Sequence, residues 1–194
     1  MAVIDVDAAA PRRRRPRIGP AALAAASIAL MAGSAVTGGI RSPESVDIAE
    51  GRIAVTVPAD WTPSRVTGGP GSRRLQVSSP ADPDLALHIT GSYAPGTTLA
   101  EAAEVLGRAI AAQPAGVFVG LRADGQVAGR PAVTYREIRP GRVIDWAVVL
   151  AGVTRIGVGC QSQPGREGAV RAVCAAAVLS AHESDAAHGT DSRR

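Results

Sequence analysis

The chain has 194 residues, of which 46% are hydrophobic and only 3% are aromatic, and its formal net charge is +4. All 21 basic residues are arginine, and 17 residues are acidic. Residues 1–40 carry a net charge of +3 and residues 41–194 a net charge of +1. The excess charge therefore lies near the start of the chain, and the nearly neutral remainder offers no basic surface for nucleic acid.

The first 40 residues have the pattern of a membrane anchor. Five arginines lie between Arg12 and Arg17, and the 23 residues that follow, 18–40, carry no charge. A helix of that length can cross a hydrocarbon core of about 30 Å, and the arginines favour the cytoplasmic side. We therefore expect a cytoplasmic segment at 1–17, a transmembrane anchor at 18–40, and a single-pass cell-membrane protein with its C-terminal part outside.

Two other interpretations of this segment remain open. A cleaved signal peptide also has a basic flank, and Met31 to Ala35 loosely resembles an Ala-x-Ala cleavage site. A cytosolic protein whose arginine run binds nucleic acid is the third alternative. The arginines directly precede an apolar run, and that order favours a topology signal.

The rest of the chain is predicted to contain one domain. Residues 41–51 are polar and predict a linker, residues 52–182 have a common length for one domain, and residues 183–194 predict a disordered tail. Alternating apolar residues and turn signals predict four strands at the start of this domain. They lie at residues 53–57, shortly after Trp61, at 75–77 and at 85–89.

A helix is predicted next, with clear signals at both ends. Thr98 and Glu101 form a capping-box pattern, and apolar residues recur at helical spacing from Leu99 to Ile110. Pro114 is expected to end the helix. A strand over residues 117–121 should follow it.

Three further strands form a predicted meander at residues 132–139, 143–150 and 153–160. Pro-Gly and Ala-Gly pairs provide the two turns. In the last strand, Gly157 and Gly159 lie on the same face, which indicates that another group approaches this backbone closely.

The final predicted helix brings the two cysteines together. An apolar stripe from Val170 to Ala181 includes Cys174, and Cys160 lies on one face of the preceding strand. A disulfide would close a loop of about 15 residues and contribute about 3 kcal/mol on the chain-entropy model. Two buried free thiols are the alternative, and the compartment decides between them.

The predicted order of elements is four strands, a helix, four strands and a helix. Consecutive strands joined by short turns predict a mostly antiparallel sheet, and two helices would cover one or both of its faces. The fold class is therefore α+β, preceded by one transmembrane helix.

We find no residues arranged for catalysis, no metal ligands and no cofactor motif. His88 alternates with apolar neighbours on a strand, which predicts a surface histidine, and the cysteine spacing does not match a zinc site. Glu137 and Asp145 could form a carboxylate pair, although the arginines around them favour a solvated ion-pair lattice. The chain is thus expected not to be an enzyme.

The hairpin joining the first two meander strands is the candidate interface, since Tyr, Trp and Arg are common interface anchors. The candidate residues are Tyr135, Arg136, Glu137, Arg139, Arg142 and Trp146.

Several segments between residues 53 and 181 resemble a known family. They are PADW, GGPGSRRLQV, AAQPAGVF, AGRPAVTYREIRPGR, VIDWAV, RIGVGCQS and AVRAVCAAAVLSA. Together they are similar to the C-terminal domain of the actinobacterial type VII secretion-associated protein family, including its two cysteines. The order of elements is more loosely similar to exported lipoproteins and to the PsbP and Mog1 groups, an analogy that carries no function.

The resemblance implies an accessory protein of a type VII (ESX) secretion system in an actinobacterium. It implies a protein partner on the extracytoplasmic side, either a secretion component or a substrate, and it implies no active site. A cell-envelope hydrolase would instead need a polar pocket containing His88 or Glu137. An envelope ligand-binding protein would need a large apolar cavity between sheet and helix.

Overall fold

The computed structural model describes residues 44–68 and 74–184. They form ten strands and two α-helices. The strands are β1 (Ser45–Glu50), β2 (Ile53–Pro58), β3 (Thr62–Val66), β4 (Arg74–Ser78), β5 (Ala86–Tyr93), β6 (Phe118–Val127), β7 (Arg130–Arg139), β8 (Arg142–Ala151), β9 (Thr154–Ser162) and β10 (His182–Glu183). The helices are α1 (Leu99–Ala111) and α2 (Arg171–Ser180), and a 3-10 turn spans Glu167–Ala169.

The strands form two antiparallel sheets. The larger has seven strands in the order β3-β4-β5-β9-β8-β7-β6, and the smaller has three in the order β1-β2-β10. The predicted mostly antiparallel α+β fold with two helices is confirmed, and each predicted strand and helix is present. The anchor predicted at 18–40 lies outside the described residues. Within the described ranges, neither helix is long and apolar enough to cross a membrane.

Two segments at the ends of the domain differ from their predictions. Residues 45–50, predicted as part of a linker, form β1 and pair with β2, with Ile48 opposite Val55. Residues 182–183, at the boundary of the predicted tail, form β10 and pair with the other edge of β2. Both are edge strands and largely exposed, so they have few of the apolar residues that reveal a strand in a sequence.

The main core lies between the two sheets and includes α2. Leu87, Ile89 and Val158 of the large sheet pack in one buried cluster with Val55 and Val178. The Cys160–Cys174 disulfide joins β9 to α2 on this side, with the two Cα atoms 5.7 Å apart. The predicted bond is therefore present, and it ties the last helix to a central strand.

Arg130 stabilises the C-terminal end of α2. Its Nη1 donates hydrogen bonds to the carbonyl oxygens of Val178 and Ala181 at 2.6 and 2.7 Å. The last carbonyl groups of a helix lack partners within the helix, and a cation there also complements the helix dipole. This contact joins segments about 50 residues apart, so no local sequence pattern predicts it.

The helix α1 packs against the opposite face of the large sheet, which we call the α1 face. Its buried residues Ala102 and Ala103 form a second, smaller cluster with Val133 of β7 and Val148 of β8. The predicted capping box is present: Thr98 accepts from the Glu101 backbone N–H, and the Glu101 carboxylate accepts from the Thr98 N–H. Since α1 contacts mainly β6 and β7, it leaves the middle of this face to other side chains.

Candidate functional site

The candidate interface residues divide between the two faces of the large sheet. In the β7–β8 pairing, Tyr135 lies opposite Trp146, and Arg139 lies opposite Arg142. Because successive residues of a strand point to opposite faces, these four residues share the α1 face with Glu137. Arg136, the sixth candidate, points to the other face.

A row of aromatic rings crosses the α1 face. The ring centroids of Phe118 and Tyr135 are 6.0 Å apart, those of Tyr135 and Trp146 are also 6.0 Å apart, and those of Trp146 and His88 are 6.2 Å apart. The Tyr135 and Trp146 rings are nearly parallel, with 11° between their planes. The four aromatic side chains come from four different strands and form one continuous row.

Glycine in β9 makes room for this row. A Cβ atom on Gly159 would lie 2.9 Å from Cε2 of Trp146, and one on Gly157 would lie 3.7 Å from the same ring. The predicted close approach to this backbone is confirmed, and the approaching group is the indole of Trp146. Any larger residue at position 159 would displace the ring.

Glu137 accepts hydrogen bonds from two donors on the α1 face. The indole Nε1 of Trp146 donates to its Oε2 at 3.0 Å, and Nε of Arg139 donates to its Oε1 at 2.7 Å. Glu137 is only 7% exposed. These bonds fix the orientation of both the indole and the Arg139 side chain.

The carboxylate pair considered from the sequence does not form. Asp145 lies opposite Arg136 in the pairing, so it occupies the face opposite to Glu137. It accepts two hydrogen bonds from Arg136, at 2.7 and 3.0 Å. The Arg136–Asp145 ion pair is partly exposed to solvent, as predicted for the ion pairs of this hairpin. Glu137, in contrast, is buried.

The prediction of a surface histidine at position 88 is wrong. His88 does point away from Leu87 and Ile89, as the alternation requires, yet it is only 1% exposed because the Trp146 ring lies beside it. Its Nε2 lies 3.0 Å from Oε1 of Gln161, whereas Nδ1 has no hydrogen-bond partner among the described residues. Burial lowers the pKa of His88, and the nearby Arg74 and Arg142 lower it further against the opposing effects of Gln161 and Glu137.

This burial predicts a pH dependence of stability. The folded pKa of His88 lies below its ordinary value of 6.5, so the unfolded chain binds the proton more readily. We expect the stabilising effect of neutral His88 to be complete above about pH 7.5 and to decline as the pH falls towards about 5. Urea unfolding at several pH values measures this decline.

The matched control is the exposed His182. His88→Gln should flatten the pH dependence over that range, and the size of this change is compared with that in His182→Gln. An equally steep decline in the His88→Gln protein would contradict the assignment.

The α1 face carries an open pocket of about 280 Å³ beside these rings. We call it the α1-face pocket, and its walls come from the sheet and from the last turns of α1. The sheet residues include Arg74, Phe118, Tyr135, Glu137, Arg139 and Trp146, and the helix residues include Leu106 and Ile110. Burial, and to a smaller extent the nearby Glu137 carboxylate, raises the pKa of Tyr135.

The pocket contains four of the six candidate interface residues. Arg142 lies on the same face but does not line the pocket, and Arg136 lies on the other side of the sheet. Arg74, Phe118 and the helix residues were not predicted, because they come from segments far from the hairpin. For Arg74, the only signal in the sequence is its alternation with the apolar Leu75. This alternation places Arg74 on the opposite face of the strand from Leu75, but it does not predict a pocket there.

Among the described residues of this face, His88 is not oriented by a carboxylate. His88 contacts an amide rather than a carboxylate, whereas a hydrolytic triad needs a base oriented by a third group. In the described part of the chain, no cluster of three His, Cys, Asp or Glu residues could hold a metal ion. That the chain is not an enzyme remains a prediction.

The fold and the pocket define a disulfide-bonded α+β sandwich domain with an open aromatic pocket on one sheet face. This fold is similar to that of the cyanobacterial PsbP protein CyanoP from Synechocystis, with a TM-score of 0.50, 15% identity, and coverage of 76% of this chain and 96% of CyanoP. The expected loose similarity to PsbP is therefore confirmed at the level of fold.

A second solved structure is less similar. LpqN of Mycobacterium tuberculosis, a protein involved in cell envelope biogenesis, matches with a TM-score of 0.42 and 12% identity over 73% of this chain and 91% of LpqN. No protein-family model matches the sequence, and no curated protein matches it either.

Proposed function

We propose that this chain is an extracytoplasmic interaction protein, anchored by residues 18–40, whose domain binds a partner polypeptide at the α1-face pocket. The pocket carries the proposal, because it combines an exposed opening with the residue types that anchor protein interfaces. Its Tyr, Trp and Arg side chains come from adjacent strands and are held by stacking and by hydrogen bonds to Glu137.

The disulfide supports the extracytoplasmic side. Disulfides persist in oxidising compartments and are rare in the cytosol. Cys160 is buried and Cys174 is partly buried, and their bond joins two elements of the main core. A structural role of this kind suits an exported domain and agrees with the charge pattern of residues 1–40.

The Trp146 side chain in the pocket is already held in one orientation before a partner binds, which supports a role in binding. The Trp146 indole is stacked on Tyr135, held by Glu137 and seated over glycine backbone. A binding surface ordered in advance loses little conformational entropy when its partner arrives.

The association with type VII secretion rests on the sequence resemblance described above. In this proposal the partner is a secretion component or a substrate in transit. An envelope ligand carrier is the second candidate, since a pocket does lie between the sheet and α1. Its volume of about 280 Å³ is below the usual range for small-molecule sites of about 300–1,000 Å³, and this favours a side chain over a whole lipid.

Site-specific photo-crosslinking in the native host tests the proposal. The photoreactive residue p-benzoylphenylalanine replaces Gln113, which lines the pocket and is exposed. The matched control places it at Val46, an exposed position on the edge strand β1. We expect a discrete adduct in the membrane fraction from position 113 and none from position 46.

The identity of the adduct separates the parts of the proposal. A type VII component or substrate supports the secretion assignment, and a different envelope protein supports the interaction role without it. Equal labelling from both positions, or none from position 113, would contradict docking at the pocket.

A further inference from the structure

The α1-face pocket carries more positive than negative charge. Arg139 and Arg142 lie directly opposite each other across the β7–β8 hairpin, and like charges in that arrangement repel. Glu137 offsets Arg139, with which it forms an ion pair at 2.7 Å. Arg142 forms no ion pair with any residue between 44 and 68 or between 74 and 184, so one cation remains uncompensated.

Arg74 of β4 adds a second cation, and this one belongs to the pocket lining. Thr90 of β5 lines the pocket with it. Its Nε is shielded from solvent, yet it has no hydrogen-bond partner among the described residues. A shielded hydrogen-bond donor without an acceptor destabilises the protein. A ligand with an acceptor group could therefore form a hydrogen bond with Nε of Arg74.

The other half of the pocket is apolar. Leu106, Ala109 and Ile110 of α1 line it together with the rings of Phe118 and Trp146. This part has room for one large side chain, given the pocket volume of about 280 Å³. An occupant therefore needs an apolar group and an anionic group close to each other.

We propose that the α1-face pocket binds an acidic side chain of the partner polypeptide, with a neighbouring large apolar side chain packed between α1 and the aromatic row. The carboxylate pairs with Arg74, which lines the pocket, and Arg142 on the same sheet face adds a favourable positive potential. A singly charged carboxylate fits better than a phosphate, because Glu137 remains in the pocket and opposes further negative charge. This inference rests on the proposed function and names the chemistry of its partner.

Peptide titration of the full-length chain in a neutral detergent tests the inference. The probe is the acetylated and amidated peptide Gly-Leu-Glu-Gly, compared with Gly-Leu-Gln-Gly and Gly-Leu-Lys-Gly. The indole N–H resonance of Trp146 reports on binding, since this group contacts Glu137 inside the pocket. We expect a saturable shift with the acidic peptide and binding about tenfold weaker with the glutamine peptide.

Three substitutions distinguish the pocket from general charge attraction. Arg74→Gln should weaken binding of the acidic peptide about five- to tenfold, and Arg142→Gln should weaken it by a smaller factor, because Arg142 lies outside the pocket lining. Arg142 is exposed, so its replacement leaves the core unchanged. Arg122→Gln is the control, because that side chain on β6 is 66% exposed and pairs with Asp124 away from the pocket. The control should bind like the unmodified protein.

Two results would overturn the inference. One is equal binding of the three peptides, and the other is an equal loss of affinity in the Arg122→Gln control. The failure of the inference remains distinct from that of the proposed function. If crosslinking from position 113 succeeds while the acidic peptide shows no preference, the docking role stands and only the partner chemistry is wrong.

Discussion

Trp146→Ala is expected to lower the free energy of unfolding by about 3–5 kcal/mol, the usual range for removing a large buried aromatic side chain. Trp146 is 7% exposed, stacks on Tyr135 and covers His88. Its loss would leave a cavity over Gly157 and Gly159 and would open His88 to water. Urea unfolding followed by far-ultraviolet circular dichroism measures the change without relying on tryptophan fluorescence.

Two further variants separate the contributions of Trp146. Trp146→Phe keeps a ring over the glycines but removes the donor to Glu137, and we expect it to cost about 1–3 kcal/mol. Tyr93→Ala removes an aromatic ring that is 67% exposed and should cost less than about 1 kcal/mol. A loss from Trp146→Ala no larger than that from Tyr93→Ala would contradict the packing described here.

Removal of the Cys160–Cys174 disulfide is expected to cost about 3 kcal/mol, because its residues are 14 apart and the bond restricts the unfolded chain. The double variant Cys160→Ala/Cys174→Ala should therefore unfold at a clearly lower urea concentration than the oxidised protein. The bond also joins α2 to β9, so hydrogen exchange in α2 should accelerate in the variant.

Reduction provides the control for this prediction. A reductant should destabilise the unmodified protein towards the level of the double variant, and it should leave the double variant unchanged. Equal stability of the reduced and oxidised proteins would show that the bond contributes nothing to the folded domain.

Much of the fold was predictable because its signals are local. The capping box at Thr98 and Glu101 specified where α1 begins, and glycine specified the tight turn at Gly152, where φ is 57°. Alternating apolar residues, and for β8 an almost continuous apolar run, located the strands of the meander within one or two residues of their observed ends. Each of these signals depends on a few neighbouring residues, so one sequence is sufficient to detect it.

Two wrong predictions concern the burial of His88 and the strand β1, and both depend on contacts with distant segments. The alternation around His88 gave its side correctly, but burial of that side depends on Trp146, which comes from a strand 58 positions later. The strand β1 was interpreted as linker because an edge strand lies partly in water and needs little apolar sequence. Both errors arise from contacts between distant segments.

The sequence by itself determined eight of the ten described strands, both helices, their order, the antiparallel pairing and the pair of cysteines that could bond. It also indicated that the β7–β8 hairpin combines Tyr, Trp and Arg side chains. The tertiary structure alone decided that Glu137 and Asp145 lie on opposite faces, that a second sheet packs on the first, and that Arg74 and α1 complete a pocket. The physical reason is that a strand's periodicity assigns each side chain to a face, whereas burial, charge balance and pocket shape arise only when separate strands and helices pack together.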